Sequence, residues 1–498
     1  MATNLRAGIE ILFRPRTFHI DRNYTTKDIF EVVQQHNMLK PAYQMLEDYY
    51  KGKHVILNRT FDDSHKPNNK IIHNFPKLIV DNSVSYFVGK PINYISESEK
   101  LKEEIEDISK LNDEDDENAE LAKLTSIYGH AFEVVYYTAE GEIKYKAVKP
   151  ADVLYLRSMD IEEEPLCAVH YRAVDNGGGG QYKYFLTIYD KTHIREYTGE
   201  GQSPTQNMTL VRETRHYFGE VPVVEYIANT ERMGDFETII SLVDAYNLAV
   251  SDSVNDINYF NDAYLLLKNL IGTDPEEIEE MKNNRVMLTD EEGDAKWLVK
   301  QVNDKHIENI KERLVADIHK FSMTPNLQDE KFASNLSGVA ISYKLIGLEN
   351  KTAVKERKFA TGIKYRNKLI VNLLNVKGAN YNPLDIAPVF TRNIPQNLNE
   401  LVNTVVSLQD IVPDVELLSQ LPFLEDPEKS QQDLEAQRKK NQEMEYQMVD
   451  LDMEGLGGLE DDPEGTKGYK ESPRADLRTA RGSDTVRKPR GANNKPTK

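Results

Sequence analysis

Eight cations stand along residues 344–368: Lys344, Lys351, Lys355, Arg357, Lys358, Lys364, Arg366 and Lys368, against only Glu349 and Glu356. The chain as a whole sets 62 Lys and Arg against 82 Asp and Glu, a formal charge of -20. A local reversal of sign in so acidic a protein has two physical explanations. Such a run is most often a solvated helix face. Alternatively a polyanion passes beside it, because phosphate contacts come from Lys and Arg.

Other chemistry finds no support in the spacing. Gly89-Lys90 lacks the upstream glycines and the following Ser or Thr of a phosphate-binding loop. No His-Glu-x-x-His, Gly-x-Ser-x-Gly or Cys/His metal spacing occurs. The 11 histidines are scattered, as surface or packed residues are. Acidic runs at Asp113–Glu117 and Asp290–Glu292 fall in expected loops and lack the EF-hand order of ligands. RNA-binding, zinc-finger and bZIP signatures are absent. No catalytic residue, metal site or cofactor is expected. Cys167 is the single cysteine, so no intrachain disulfide forms, which fits a reducing, intracellular compartment. No apolar run approaches the length of a membrane span, and Met1–Arg6 has no signal-peptide character.

The elements that must position the cations follow from punctuation and period. Met323–Asn335 is a polar loop in which Pro325 stops any arriving helix. Ser337 is a natural N-cap, and the basic helix is expected from Gly338 to about Asn375. Upstream, helices are expected at Lys27–His36, at Lys40–Tyr50, within Ile71–Val88, and over Glu97–Glu120 with a solvated break at Asn112–Asn118. From Ala131 to Tyr226 the texture changes to β-branched and aromatic runs: Phe132–Tyr137, Ile143–Val148, Val153–Leu156, Cys167–Tyr171, Tyr182–Tyr189 and Val221–Ile227. Turn residues separate them, predicting an antiparallel meander with a hairpin tip at Gly177–Gly180.

Asp235 is placed to cap a long helix with apolar residues at 236, 239, 240, 243, 246, 250, 254 and 257. Asp304 opens a second helix, which ends near Met323. Between them lie a helix start at Asp274-Pro275-Glu276-Glu277 and a strand pair, Arg285–Thr289 with Lys296–Val302. Two long helices therefore bracket a small α/β insert. Further helices are expected at Leu398–Asp410, Pro413–Gln420 and Pro427–Val449. The tail from Leu451 has the composition of a disordered segment, acidic to Glu464 and basic beyond. At 498 residues, about three domains are expected.

Several blocks resemble portal proteins of long-tailed, siphovirus-type bacteriophages of Gram-positive hosts. They are Asn68–Ile92, Ser126–Phe132, Glu231–Asp235 with the helix after it, Asn261–Leu265, Met323–Asn326 and Ser337-Gly338. The resemblance covers roughly residues 30 to 430 in collinear order, and the ordered set is more specific than any one block.

The resemblance implies an α+β multidomain portal fold: a mixed wing domain with antiparallel strands, a two-helix stem, a small α/β clip and an α-helical crown. Carried onto this chain, 1–234 is wing, 235–260 the first stem helix, 261–303 the clip and 304–322 the second stem helix. Residues 323–336 become the tunnel loop, 337–389 the long basic helix with the rest of the wing, 390–450 the crown and 451–498 the tail. It implies a homo-oligomeric ring, usually of twelve, in the virion at a unique capsid vertex and in host cytoplasm during assembly. Double-stranded DNA is packaged and ejected through the channel. The partners it implies are the terminase large subunit, a head-to-tail adaptor, and major capsid and scaffolding proteins; no membrane is involved.

On this reading Asn326, Gln328, Lys331 and Asn335 border the channel. Lys344, Lys351, Lys355 and Lys358 of the basic helix either meet DNA or neutralise acidic neighbours between subunits. Glu276, Glu277, Glu279 and Glu280 offer an acidic clip face for docking, with Trp297 as an apolar anchor or as core of the small insert. Two rivals make different predictions. A scaffold or adaptor of head assembly forms no ring and no DNA channel, and a metal-dependent DNA-processing enzyme shows nuclease activity with magnesium or manganese.

Overall fold

The computed structural model describes residues 15–62, 66–175, 182–260, 264–268, 294–298, 304–326, 338–394, 398–409, 411–419, 421 and 429–441, with 274, 276 and 279. Gln328, Lys331, Asn335, Ser337, Glu277, Glu280, the strand expected at 285–289, the tip at Gly177–Gly180 and the tail lie outside them. The chain divides into two units, Met1–Gln396 and Asn397–Lys498.

The first unit opens with β1 (Phe18–Ile20), α1 (Thr26–Asn37) and α2 (Lys40–Tyr50). A capping box between Thr25 and Asp28 starts α1. After a 3-10 turn at Val55–Asn58 an extended segment leads to α3 (Phe75–Val88), β2 (Asn93–Ser96), α4 (Glu99–Leu111) and α5 (Glu114–Tyr128). The break between α4 and α5 is only Asn112-Asp113, with Asp113 in the left-handed region at φ 49°. The acidic run expected in a solvated loop is instead the first turn of α5, where Glu114, Asp115, Asp116 and Glu117 meet the positive end of the helix dipole.

The strands follow as β3 (His130–Tyr137), β4 (Ile143–Val148), β5 (Val153–Ser158), β6 (Pro165–Asp175), β7 (Tyr182–Tyr189), β8 (His193–Gly201), β9 (Thr209–Arg215) and β10 (Val223–Ile227). They form two sheets rather than one meander: β10-β3-β4, and β1-β5-β6-β7-β8-β9, antiparallel except where β1 joins β5. β8 and β9 were not expected. Every residue of β9 is exposed, so no apolar alternation marks it.

α6 (Ile240–Phe260) and α7 (Asp304–Phe321) flank an antiparallel strand pair, β11 (Tyr264–Lys268) with β12 (Asp294–Leu298). The described partner of β12 is thus β11, directly after α6. α8 (Gly338–Val376) is 39 residues long, and β13 (Ile386–Val389) pairs with β2. The main core joins α2, α3, α5, β3, β4 and β10 to the inner side of α8, through residues such as Phe87, Tyr226, Phe359 and Ile363. A second cluster packs Ile29 and Val33 of α1 on Leu154, Cys167 and Leu186 of the larger sheet. The second unit contains α9 (Leu398–Leu408) and α10 (Asp414–Ser419), and residues 429–441 are helical. No helix among the described residues is long and apolar enough to cross a membrane.

Candidate functional site: the junction of the projecting helices

α6 and α7 form an antiparallel pair. Phe75 stacks edge-on against both Tyr246, near the start of α6, and His319, near the end of α7. The strand pair closes their other ends. At the body end, four segments meet around one buried ammonium group. Lys355 Nζ of α8 lies 2.8 Å from an Asp235 carboxylate oxygen, and donates to Ser126 Oγ at 2.8 Å and Ser83 Oγ at 3.4 Å. Lys351, one turn earlier, donates to the carbonyl of Ser322 just past α7 and sits 3.8 Å from Asp235. Burial opposes ionisation of Asp235, but the charges of Lys351 and Lys355 outweigh it and hold the carboxyl well below its ordinary range.

This corrects the role expected for Asp235. It does not start the helix; a 3-10 turn at Glu237–Ile239 intervenes and α6 begins at Ile240. Its carboxylate faces inward because the preceding loop packs tightly on the end of α5. Gly129 holds φ at +81°, and a Cβ there would stand 1.9 Å from the Arg232 carbonyl oxygen. A Cβ on Gly234 would stand 2.4 Å from the Ile127 oxygen. Arg16 clamps the same loop, pairing with Glu237 at 2.7 Å and donating to the carbonyls of Tyr128 and Arg232.

A second buried cation fixes α8 further along. Arg366 is 1 % exposed and reaches Glu114 of α5, Glu133 of β3 at 3.0 Å and the Tyr94 hydroxyl at 3.1 Å. Burial works against its charge, but these partners and Tyr226 hold its proton firmly. Burial also opposes ionisation of Glu114, yet Arg366 keeps that carboxyl below its usual value; fully buried Glu133 is pushed up.

A third arrangement fastens α6 through neutral groups. Asn247, Ser251 and Asn255, each four residues apart, accept the backbone N–H groups of His73, Ile71 and Asn69 at 2.8, 3.0 and 2.7 Å. The match is geometric: four helical residues rise about 6 Å and two extended residues about 6.6 Å. Arg59, paired with Asp252 at 2.6 Å, donates to the Asn69 carbonyl and closes the strap.

Of the four helix lysines singled out in the sequence, two are therefore brought together inside and two are not. Lys355 is buried and Lys351 is turned to the Asp235 site, so at these positions the helix is no solvated face; Lys344 and Lys358 are partly exposed. Asn326 is partly exposed, Glu276 and Glu279 are helical and exposed, and Trp297 lies in β12 opposite Leu265. Arg366, Asp235 as an ion partner, and the ladder of Asn247, Ser251 and Asn255 were missed. A signal existed: Lys355 and Arg366 share the helical register of Leu348, Phe359, Ile363 and Ile370. Among the described residues no group of three metal-ligating side chains could hold a metal ion. His36 and His130, both deeply buried, are pushed down to about 3 by burial and stay neutral. The chemistry of the site is fastening.

Comparison with known proteins agrees with the resemblance noted in the sequence. The family model for "Phage portal protein, SPP1 Gp6-like" matches residues 29–444. The chain is similar to the portal protein of Bacillus phage SPP1, 23% identical over 461 residues, covering 88% of this chain and 91% of that protein. It is also similar to the portal protein of Clostridium phage phiCD119, 26% identical over 415 residues, covering 79% of this chain and 90% of that one. The blocks from Asn68 to Gly338 that carry the resemblance all fall within the matched span.

Proposed function

This chain belongs to the family of SPP1 Gp6-like phage portal proteins, and we propose that it is one subunit of a ring-shaped connector through which double-stranded DNA enters and leaves the capsid. The observation that carries the reading is the antiparallel pair α6 and α7, closed at one end by β11 and β12 and bolted at the other to α8. A stem needs that build: a projecting pair of helices whose base is tied to a rigid frame.

The parts then take their roles. Residues 1–234 and 337–389 are the wing, α6 and α7 the stem, and 261–303 the clip. Residues 323–336 are the tunnel loop, with Asn326, Gln328, Lys331 and Asn335 at the channel, and 390–450 are the crown. Of the four lysines named in the basic helix, Lys344 and Lys358 are partly exposed and face towards solvent, whereas Lys351 and Lys355 serve the Asp235 site. Each phosphate neutralised adds affinity. A chain at -20 therefore favours sliding over tight binding. The clip, through Glu276, Glu277, Glu280 and Trp297, docks the terminase large subunit and later the head-to-tail adaptor. Major capsid and scaffolding proteins meet the ring at its capsid vertex. The protein acts as a conduit and carries no catalytic residue.

Native mass measurement with negative-stain imaging of the purified protein tests this. A closed ring near twelve subunits with a central hole is expected. A compact closed dimer overturns the reading in favour of a scaffold without a channel.

A further inference from the structure

α8 has two faces. Its inner face carries Lys355, Phe359 and Arg366 into the body. Its outer face runs through Tyr343, Ile346 and Val354, exposed at 72%, 56% and 45%, to Arg357, Thr361 and Lys364, all exposed. The two acids of the helix are not on this stripe. Glu349 and Glu356 both turn to Arg392, at 2.8 and 2.6 Å. The outer face is left apolar over its first half and cationic over its second.

The opposite side of the body has the complementary make-up. Glu103 and Asp107 of α4 are exposed, as are Asp115 and Asp116 at the start of α5. Asp115 and Asp116, with Glu106, Lys110 and Asp113, line an open notch of about 630 Å³ between α4, β2 and α5.

The buried pair Arg366 and Glu114 shows how the two surfaces are disposed. Arg366 points into the body from α8 and Glu114 points into it from α5. On an α-helix, residues two apart differ by about 200° around the axis. Lys364 is two positions from Arg366, and Asp116 two from Glu114; each projects away from the shared pair. The cationic stripe and the acidic notch are therefore outward surfaces on opposite sides of one body.

We propose that the outer face of α8 in one copy seats on the acidic notch formed by α4, β2 and the start of α5 in the next copy. The occupant is a second copy because the two faces complement each other in charge, Arg357 and Lys364 on one and Asp115 and Asp116 on the other. The pairing is also directional. A two-fold dimer through either face would set like charges together, whereas head-to-tail contact sets opposite charges together and repeats until it closes. The inference rests on the ring reading above and specifies which surfaces close the ring.

Two charge-reversed variants test it: Arg357→Glu/Lys364→Glu, with both faces acidic, and Asp115→Lys/Asp116→Lys, with both faces basic. Circular dichroism and thermal melting check that each folds. If the second does not, Glu106→Lys reverses a charge on the α4 side of the notch. Native mass spectrometry reads the fraction of subunits in rings. Each variant alone is expected to lose assembly by about tenfold or more, because like charges now face each other. An equimolar mixture is expected to recover it, since copies can alternate. Folded single variants that assemble like wild type overturn this interface while leaving the ring reading intact, as does a mixture that fails to recover. Normal rings with weakened DNA retention in Arg357→Glu/Lys364→Glu overturn it too, and assign the stripe to DNA. A wild type that forms only a closed dimer overturns the ring reading itself.

Discussion

α8 and α6 are both long helices that meet the same body, and they are fastened by opposite means. α8 is held by charges out of water: Arg366 on Glu114 and Glu133, and Lys355 on Asp235. α6 is held along one side chiefly by neutral amide and hydroxyl groups that accept backbone hydrogens of the strap, residues 69–73, with one ion pair, Arg59–Asp252, whose carboxylate is half exposed. A buried ion that loses its partner is an uncompensated charge costing about 3–5 kcal/mol. A neutral hydrogen bond contributes about 0.5–1.5 kcal/mol net, and bonds in a ladder can open one at a time. The difference separates a frame that cannot shift by parts from a projecting helix whose attachment can.

The largest effect is expected where that contrast is greatest. Arg366→Ala leaves Glu114 and Glu133 buried without their cation and is expected to cost about 3–5 kcal/mol, seen as a large fall in melting temperature or loss of soluble protein. A melting temperature within a degree or two of wild type would mean water reaches this pair. Lys355→Met is expected to cost less, about 3 kcal/mol, because Lys351 remains 3.8 Å from Asp235. Adding Asp235→Asn to Lys355→Met removes the stranded charge and is expected to recover most of the loss. If the double variant is no better than the single one, the pair is not coupled as drawn.

On the other side of the comparison, Asn247→Ala removes the acceptor for the His73 N–H and the amide that meets His54. The expected cost is about 1–3 kcal/mol. Its mark is local. Hydrogen exchange is expected to speed up at Asn69, Ile71 and His73 while the amides around Arg366 stay protected. Acceleration in both places would show that strap and frame open together, erasing the distinction.

The same contrast explains what could be read from the sequence. The 3.6-residue period and clear stops located α1, α2, α7 and α8 to within a residue or two: Lys27–His36 was expected against Thr26–Asn37, and an end near Asn375 against Val376. Elements that bury no face could not be found that way, and β9, exposed throughout, is the clearest case. Charge was harder still. Residues 344–368 were weighed as a solvated or DNA-facing run because Lys and Arg are rarely fully buried. Yet Lys355 and Arg366 occupy the apolar register of their own helix. The acids that neutralise them, Asp235, Glu114 and Glu133, lie 120 or more positions away, and no local pattern joins residues that far apart. Asn247, Ser251 and Asn255 fall between the apolar positions expected of α6, and they are polar. What the period could not show is that this face is occupied by another stretch of backbone.

The smallest effect belongs to Asp244, one turn before Asn247 on α6. Tyr49 donates its hydroxyl to both carboxylate oxygens, at 3.0 and 2.8 Å, and among the described residues no cation pairs with it. Burial pushes this carboxyl up to about 6, with the Tyr49 bond only partly opposing the shift. A carboxyl whose folded value lies above its ordinary 3.8 favours the folded state when protonated. Its contribution is thus present below about pH 4 and lost as pH rises through about 6. Asp244→Asn fixes an uncharged form that still accepts from Tyr49. Relative to wild type, it is expected to gain about 1–2 kcal/mol between pH 4.5 and 7, discounted for partial exposure. Urea midpoints for both proteins at three pH values measure this, and a difference that stays constant with pH would remove Asp244 as the cause. At Asp235, by contrast, Lys351 and Lys355 hold the carboxylate ionised throughout that interval. Mild acid is therefore expected to strengthen the seat of α6 without touching the ionic bolt on α8, so the two attachments can be tuned apart.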